Sequence, residues 1–225
     1  MRPRLLAIYE RLLARYGPQH WWPGRTPFEV VVGAILTQST AWANVARAIS
    51  NLEAAVALSP GTLQALPLEH LEELVRPSGY YHAKARKLRA FTTLLAEEYG
   101  GELEPLLALP GPELRRRLLD TYGIGPETAD SICLYAAGVP YFVVDAYTRR
   151  VFARLGLVAE RVGYPELQAL FMDNLPADVP LFNEYHALIV RHGKEVCRKR
   201  PRCAGCTLAD LCPRGAGVTG QPTNL

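Results

Sequence analysis

Apolar residues recur at intervals of three and four along nearly the whole chain, while alternation at every second residue is hardly seen, which predicts helices and little sheet. Leu5, Ile8, Leu12 and Leu13 mark a first helix, and Phe28 to Leu36 mark a second, read as continuing into Ala46, Ile49 and Leu52. Leu63 and Leu66 precede Leu71, Leu74 and Val75, and Leu88, Phe91, Leu94 and Leu95 follow at the same spacing. Proline and glycine pairs such as Pro23-Gly24, Pro60-Gly61 and Pro110-Gly111 supply short connectors between these elements. The fold class is therefore all-α. Residues 215–225 carry no periodicity and are expected to form a loose tail.

One stretch of this pattern carries more than packing. Leu114, Leu118 and Leu119 make one apolar face, Tyr122-Gly123-Ile124-Gly125-Pro126 makes a tight turn, and Thr128, Ala129, Ile132, Cys133 and Leu134 resume a helix. Gly123 and Gly125 allow positive φ and the close approach of another backbone, and Pro126 suits the first position of a new helix. Free N–H groups at such a turn can hold a phosphate, although many helix corners use glycine for packing alone.

The chain has 225 residues with a formal net charge of +3, and 49% hydrophobic residues are ample for a folded core. Its longest apolar stretch, from Ile132 to Val144, falls short of the roughly 18 to 20 residues needed to span a bilayer. The N-terminus lacks the apolar block of a signal peptide, so a cytoplasmic location is expected. Charge is uneven: residues 191–214 carry net +5, which leaves −2 for the rest. A basic stripe of this kind marks either a solvated face or the electrostatic footprint of a nucleic-acid binder.

Cys197, Cys203, Cys206 and Cys212 lie within 16 residues in the spacing C-x5-C-x2-C-x5-C. Disulfides are disfavoured in a cytoplasmic chain, so four thiols this close point to a metal centre. Zinc sites generally use two tight pairs, whereas one pair flanked by two longer arms suits a larger iron–sulfur cubane, and the spacing favours the cubane while leaving zinc open. Cys133, alone in an apolar run, reads as a small core hydrophobe.

Taken together, Leu36-Thr37-Gln38-Ser39-Thr40, Gly123-Ile124-Gly125-Pro126-Glu127-Thr128-Ala129, Val143-Val144-Asp145, His192-Gly193 and the four-cysteine tail resemble the helix-hairpin-helix DNA glycosylases of the endonuclease III superfamily. The resemblance covers about residues 5 to 214. It implies two lobes with a DNA groove between them: a helical barrel over 27–137 ending in the hairpin motif, and a cluster-bearing lobe of residues 1–26 with 138–214. It also implies a monomer acting on double-stranded DNA with a damaged base. Asp145 matches the essential carboxylate, Gln38 the residue that fills the gap left by the flipped nucleotide, and Cys197, Cys203, Cys206 and Cys212 the ligands of a [4Fe-4S] cluster.

Two departures narrow this. Members that also cleave the strand carry a lysine where this chain has Glu127, and a carboxylate cannot form their Schiff base. Lys84, Lys87 and Lys194 do not stand at the matching place, so a monofunctional glycosylase with weak or absent AP lyase activity is expected. The first cysteine arm also has five residues where six are common. Trp21-Trp22-Pro23, Pro77-Ser78-Gly79-Tyr80-Tyr81 and His192-Gly193-Lys194 resemble the 3-methyladenine glycosylase branch, which implies that Trp21, Trp22 and Pro23 line the base pocket with Lys194 nearby. An N-alkylated purine is already cationic, so an electron-rich aromatic face can hold it by cation–π attraction, about 0.5 to 2 kcal/mol. Asp145 would then stabilise the oxocarbenium-like sugar and orient the attacking water.

Plainer roles stand beside these. Asp145 precedes a helical run and suits an N-cap, alone or in addition to chemistry. Glu127 in a first helical turn complements the helix dipole with or without a catalytic role. The two tryptophans suit an interhelical contact, Gln38 a polar helix position, and His192 a structural histidine. Rival functions are a glycosylase/AP lyase for oxidised pyrimidines, a mismatch glycosylase, and a lesion-binding protein without turnover.

Overall fold

A computed structural model describes residues 1–215 of the chain. The tail expected over 215–225 lies outside them except for Gly215, whose N–H is bonded to the Cys212 carbonyl at 2.8 Å. Among the described residues all regular structure is helical, and no helix is long and apolar enough to cross a membrane.

In chain order the helices are α1 (Arg2–Tyr16), α2 (Pro27–Leu36), α3 (Trp42–Ala55), α4 (Pro60–Ala65), α5 (Leu68–Val75), α6 (Tyr81–Glu98), α7 (Glu104–Leu107), α8 (Gly111–Asp120), α9 (Pro126–Tyr135), α10 (Ala146–Arg154), α11 (Tyr164–Met172) and α12 (Val179–Glu195). They fall into two compact units. One is Trp22–Val139, and the other joins Met1–Trp21 to the chain from Pro140 onward.

In the Trp22–Val139 unit, α2 is the central helix. Thr26 caps it by accepting a hydrogen bond from the Glu29 N–H at 3.1 Å, Pro27 occupies the first turn, and every residue from Phe28 to Leu36 is buried. The helix does not run on into Ala46, as the apolar spacing suggested. It stops at Leu36, the chain turns with Ser39 at φ 55, and α3 starts afresh at Trp42. Thr37, Ser39 and Thr40 explain the break, since such short polar side chains compete for backbone partners and disfavour helix interiors. Helices α8 and α9 form the expected hairpin, tied by Arg115, which donates to both oxygens of the fully buried Asp130 at 2.6 and 3.2 Å. Cys133 is buried as expected, and burial pushes its thiol up to about 12.

The other unit is built on an aromatic core. Phe142 stacks on Phe171 at 3.8 Å between centroids, while Phe152, Phe182 and Tyr185 complete the buried set. The Tyr185 hydroxyl donates to the Leu5 carbonyl at 2.8 Å and so fastens α12 to α1, whose Leu5, Ile8 and Leu12 are fully buried. This fixes α12, and with it the side chains that α12 presents to α10 and to the cysteine loop.

Candidate active site and cysteine-lined cavity

Asp145 stands immediately before α10 and is its N-cap. Its Oδ1 accepts from the Thr148 backbone N–H at 2.7 Å and from the Thr148 hydroxyl at 2.9 Å, so this oxygen is held by two donors. The other oxygen, Oδ2, faces His186 Nε2 of α12 at 3.8 Å, and the carboxylate side chain is only 13% exposed. Burial raises its pKa, but His186 and the two Thr148 donors outweigh burial and hold the group below the usual carboxylate range. The result is a sheltered carboxylate that stays ionised at neutral pH. The cap role and the charged role coexist in one side chain.

Lys194, near the C-terminal end of α12, lies between two rings, with Nζ 6.0 Å from the Trp21 centroid and 5.9 Å from that of Tyr147. Gly193 makes room for this, since a Cβ there would meet the Tyr147 ring at 2.6 Å.

The cysteine loop follows directly. Cys197, Cys203, Cys206 and Cys212 are free thiols and all four line a single cavity, together with His192, Arg154 and apolar groups such as Val151, Leu155 and Leu208. Among the described residues no three His, Cys, Asp or Glu side chains meet closely enough to share one metal ion. The donor set suits an iron–sulfur cluster: four soft ligands that bind as thiolates, an apolar wall, and the Arg154 guanidinium donating to Cys197 Sγ at 3.3 Å, where it offsets thiolate charge. His192 is 1% exposed, with Nδ1 3.0 Å from the Tyr16 hydroxyl and Nε2 3.8 Å from Cys206 Sγ. It is thus a wall of the cysteine cavity as well as a packed core histidine.

In the Trp22–Val139 unit the hairpin glycines divide their work. Gly123 has φ +79, and a Cβ there would overlap the Lys87 side chain. Gly125 does not use the positive φ that glycine allows; it is extended at φ −93 and ψ 178 as the N-cap of α9, and a Cβ there would meet nothing within 4 Å. Pro126 takes the first helical position, as its missing N–H allows. Glu127 is exposed in the first turn of α9, where its charge complements the helix dipole.

Gln38 is half-buried at the break after α2. Its amide Nε2 donates to the Gly123 carbonyl at 3.2 Å and to the Thr128 hydroxyl at 3.0 Å, while Lys87 Nζ donates to its Oε1. The ammonium on one side fixes which end of the amide faces the hairpin. Lys84 is buried, donates to the Ser78 carbonyl at 2.6 Å, and is brought down to about 8 by burial and by Lys87. Trp22 packs edge-on against Trp42 at 5.1 Å and, with the rings tilted by 35°, against Tyr135 at 5.1 Å, over Gly33, where a Cβ would meet both indole rings at 3.3 Å. Pro23 is exposed.

The structure therefore groups Trp22 with residues that sequence reasoning passed over, Trp42 and Tyr135, and does the same for Asp145 with Thr148 and His186. Trp42 is the third of only three tryptophans in the chain, a compositional signal available beforehand. His186 carries no comparable signal, because its partner lies 41 positions away.

Residues 32–177 match the HhH-GPD superfamily of base excision DNA repair proteins. A proposed DNA repair glycosylase of Methanocaldococcus jannaschii is 47% identical over 208 residues, covering 91% of this chain and 94% of that protein. Among solved structures, a non-covalent endonuclease III–DNA complex superposes with a TM-score of 0.83 at 25% identity, covering 98% of this chain and 99% of that one. A 3-methyladenine DNA glycosylase of H. pylori bound to 1,N6-ethenoadenine superposes with a TM-score of 0.71 at 28% identity, covering 86% and 96%.

Proposed function

The chain belongs to the HhH-GPD superfamily of base excision DNA repair proteins and is a DNA glycosylase of that family, and we propose that within it the protein is a monofunctional enzyme for alkylated purines in duplex DNA. The observation that carries this reading is Asp145, a sheltered carboxylate kept ionised by two Thr148 donors and His186. A fixed negative charge stabilises positive charge developing on the sugar as the base departs, and Oδ2, the oxygen that faces His186 and is not taken up by Thr148, would orient the attacking water.

The monofunctional assignment rests on Glu127. An imine needs a nucleophilic amine, and the first turn of α9 offers a carboxylate instead. Substrate class is argued from the rings. Trp22, Trp42 and Tyr135 form an electron-rich set suited to a flat, cationic base. Trp21 is a weaker partner for such a base, since Lys194 already lies against its face. The likeness to a glycosylase bound to 1,N6-ethenoadenine, an alkylated purine without fixed charge, supports the alkylated-purine class. In this reading Trp21, Trp22 and Pro23 line the pocket and Lys194, Gln38, Gly123 and Gly125 meet the DNA. Gly125 is the natural phosphate contact because nothing covers it.

Cys197, Cys203, Cys206 and Cys212 would hold a [4Fe-4S] cluster, which when bound supplies a one-electron redox centre and orders the basic loop of Arg198, Lys199, Arg200 and Arg202. The protein works as a monomer in the cytoplasm, on the nucleoid.

The test is incubation with duplexes carrying 3-methyladenine or 1,N6-ethenoadenine, thymine glycol, uracil or an adenine mispair, with alkali and borohydride arms. Alkali-dependent breaks at alkylated purines without a trapped adduct are expected. A trapped adduct at thymine glycol overturns the monofunctional reading and directs attention to Lys87, whose amine stands beside the hairpin.

A further inference from the structure

His192 is the one imidazole in the wall of the cysteine cavity, and it is held from three directions. Its ring is 1% exposed and packs edge-on against Tyr16 at 6.1 Å. Its Nδ1 lies 3.0 Å from the Tyr16 hydroxyl and its Nε2 lies 3.8 Å from Cys206 Sγ. Its own backbone carbonyl accepts from the Cys197 N–H at 2.8 Å, so the residue is pinned to the first thiol-bearing position as well as beside the third.

The chemistry of the sulfur decides where the ring proton sits. A neutral imidazole carries one N–H and one lone pair. As a cluster ligand Cys206 is a thiolate with no proton to give, so a lone pair on Nε2 would face negative sulfur, whereas an N–H there faces an acceptor. The Tyr16 hydroxyl can donate as readily as accept, and by donating to Nδ1 it leaves the ring proton on Nε2. Both contacts are satisfied by one tautomer only.

We propose that Tyr16 and His192 form a hydrogen-bond relay to Cys206 that positions this thiolate and raises the reduction potential of the cluster. The inference rests on the cluster reading above. A hydrogen bond to a ligating thiolate favours the more electron-rich, reduced state, so losing it moves the potential to more negative values. Tyr16 acts through the ring by fixing its tautomer, and both are positioning residues, remote from the glycosidic bond.

The experiment is electrode titration of the purified, cluster-loaded protein without DNA, with iron, inorganic sulfide and visible absorbance measured on every sample. His192→Phe is expected to keep the cluster and shift its potential negative, Tyr16→Phe to give a smaller shift of the same sign, and His192→Gln, which keeps an N–H donor, to lie closer to the wild type. Unchanged potential in a loaded His192→Phe protein overturns the relay. Should that variant fail to load, Tyr16→Phe decides: a negative shift supports the relay, and a wild-type potential overturns it. A wild-type protein without iron and sulfide would sink the cluster reading itself, a separate failure.

Discussion

Replacing Asp145 by Asn separates charge from architecture at the point where the two coincide. Asn is as good an N-cap as Asp, and its side-chain oxygen can take the same two Thr148 donors that the carboxylate holds at 2.7 and 2.9 Å. Those bonds become neutral and roughly halve in strength, so a stability loss of about 1 kcal/mol is expected. Asp145→Ala, by contrast, leaves the Thr148 N–H without a cap and loses about 1 to 2 kcal/mol from that alone. The effect on chemistry should be far larger. If the carboxylate is the electrostatic stabiliser of the departing sugar, removing its charge costs on the order of 10² to 10³ in rate, about 3 to 4 kcal/mol, by analogy with other preorganised stabilisers. Single-turnover base release from an alkylated-purine duplex, beside equilibrium binding of the same duplex and a thermal melt, reads all three quantities. The Asn variant should melt near the wild type, bind DNA at least as tightly because a negative charge near phosphate is gone, and release base at least about 100-fold more slowly. Base release within about threefold of wild type, in a folded variant that binds, would refute the assignment of Asp145.

Other consequences can be measured independently. Thr148→Val removes the hydroxyl donor but keeps the backbone cap, so the Asp145 pKa should rise and the acidic limb of the base-release pH profile should move up with it; a stationary limb counts against the geometry. Gly123→Ala is expected to lose about 1 to 3 kcal/mol of stability, because it combines positive φ with overlap on Lys87, whereas Gly125→Ala should leave the melt unchanged and weaken DNA binding; equal melts for the two would contradict the division of roles. Lys84 is held near 8 in the folded chain against an ordinary 10.5, so between those values the unfolded state binds more protons and stability rises with pH. In denaturant melts the stability of wild type relative to Lys84→Met should therefore improve from about pH 7 to about pH 10, and a flat or falling difference would show that Lys84 is not desolvated.

Helical periodicity made most of the fold legible. The α1 face, the buried run of α2 and the α8–α9 hairpin all follow from apolar spacing and glycine or proline punctuation. The break at residues 37–41 was masked by apolar residues on both sides of it, and only its polar content pointed the other way. The two hairpin glycines look alike in sequence because both allow positive φ, yet only Gly123 uses it: the cap of α9 is extended at Gly125, where the glycine leaves open space instead. Site residues within one local pattern, such as the four cysteines and the Asp145 cap, could be found from spacing. His186 beside Asp145, Trp42 and Tyr135 around Trp22, and Lys87 at Gln38 are pairings between distant segments, which depend on packing and leave no local signature.

Glu127, at the hairpin position where strand-cleaving relatives carry a lysine, decides whether this chain can form an imine with DNA. Purified protein incubated with a 1,N6-ethenoadenine or 3-methyladenine duplex should give abasic sites that break only with alkali when borohydride is omitted, and no covalent protein–DNA adduct when borohydride is present. A stable adduct, or strand cleavage without alkali, would contradict the central claim and show that another amine in this chain does the work of the absent lysine.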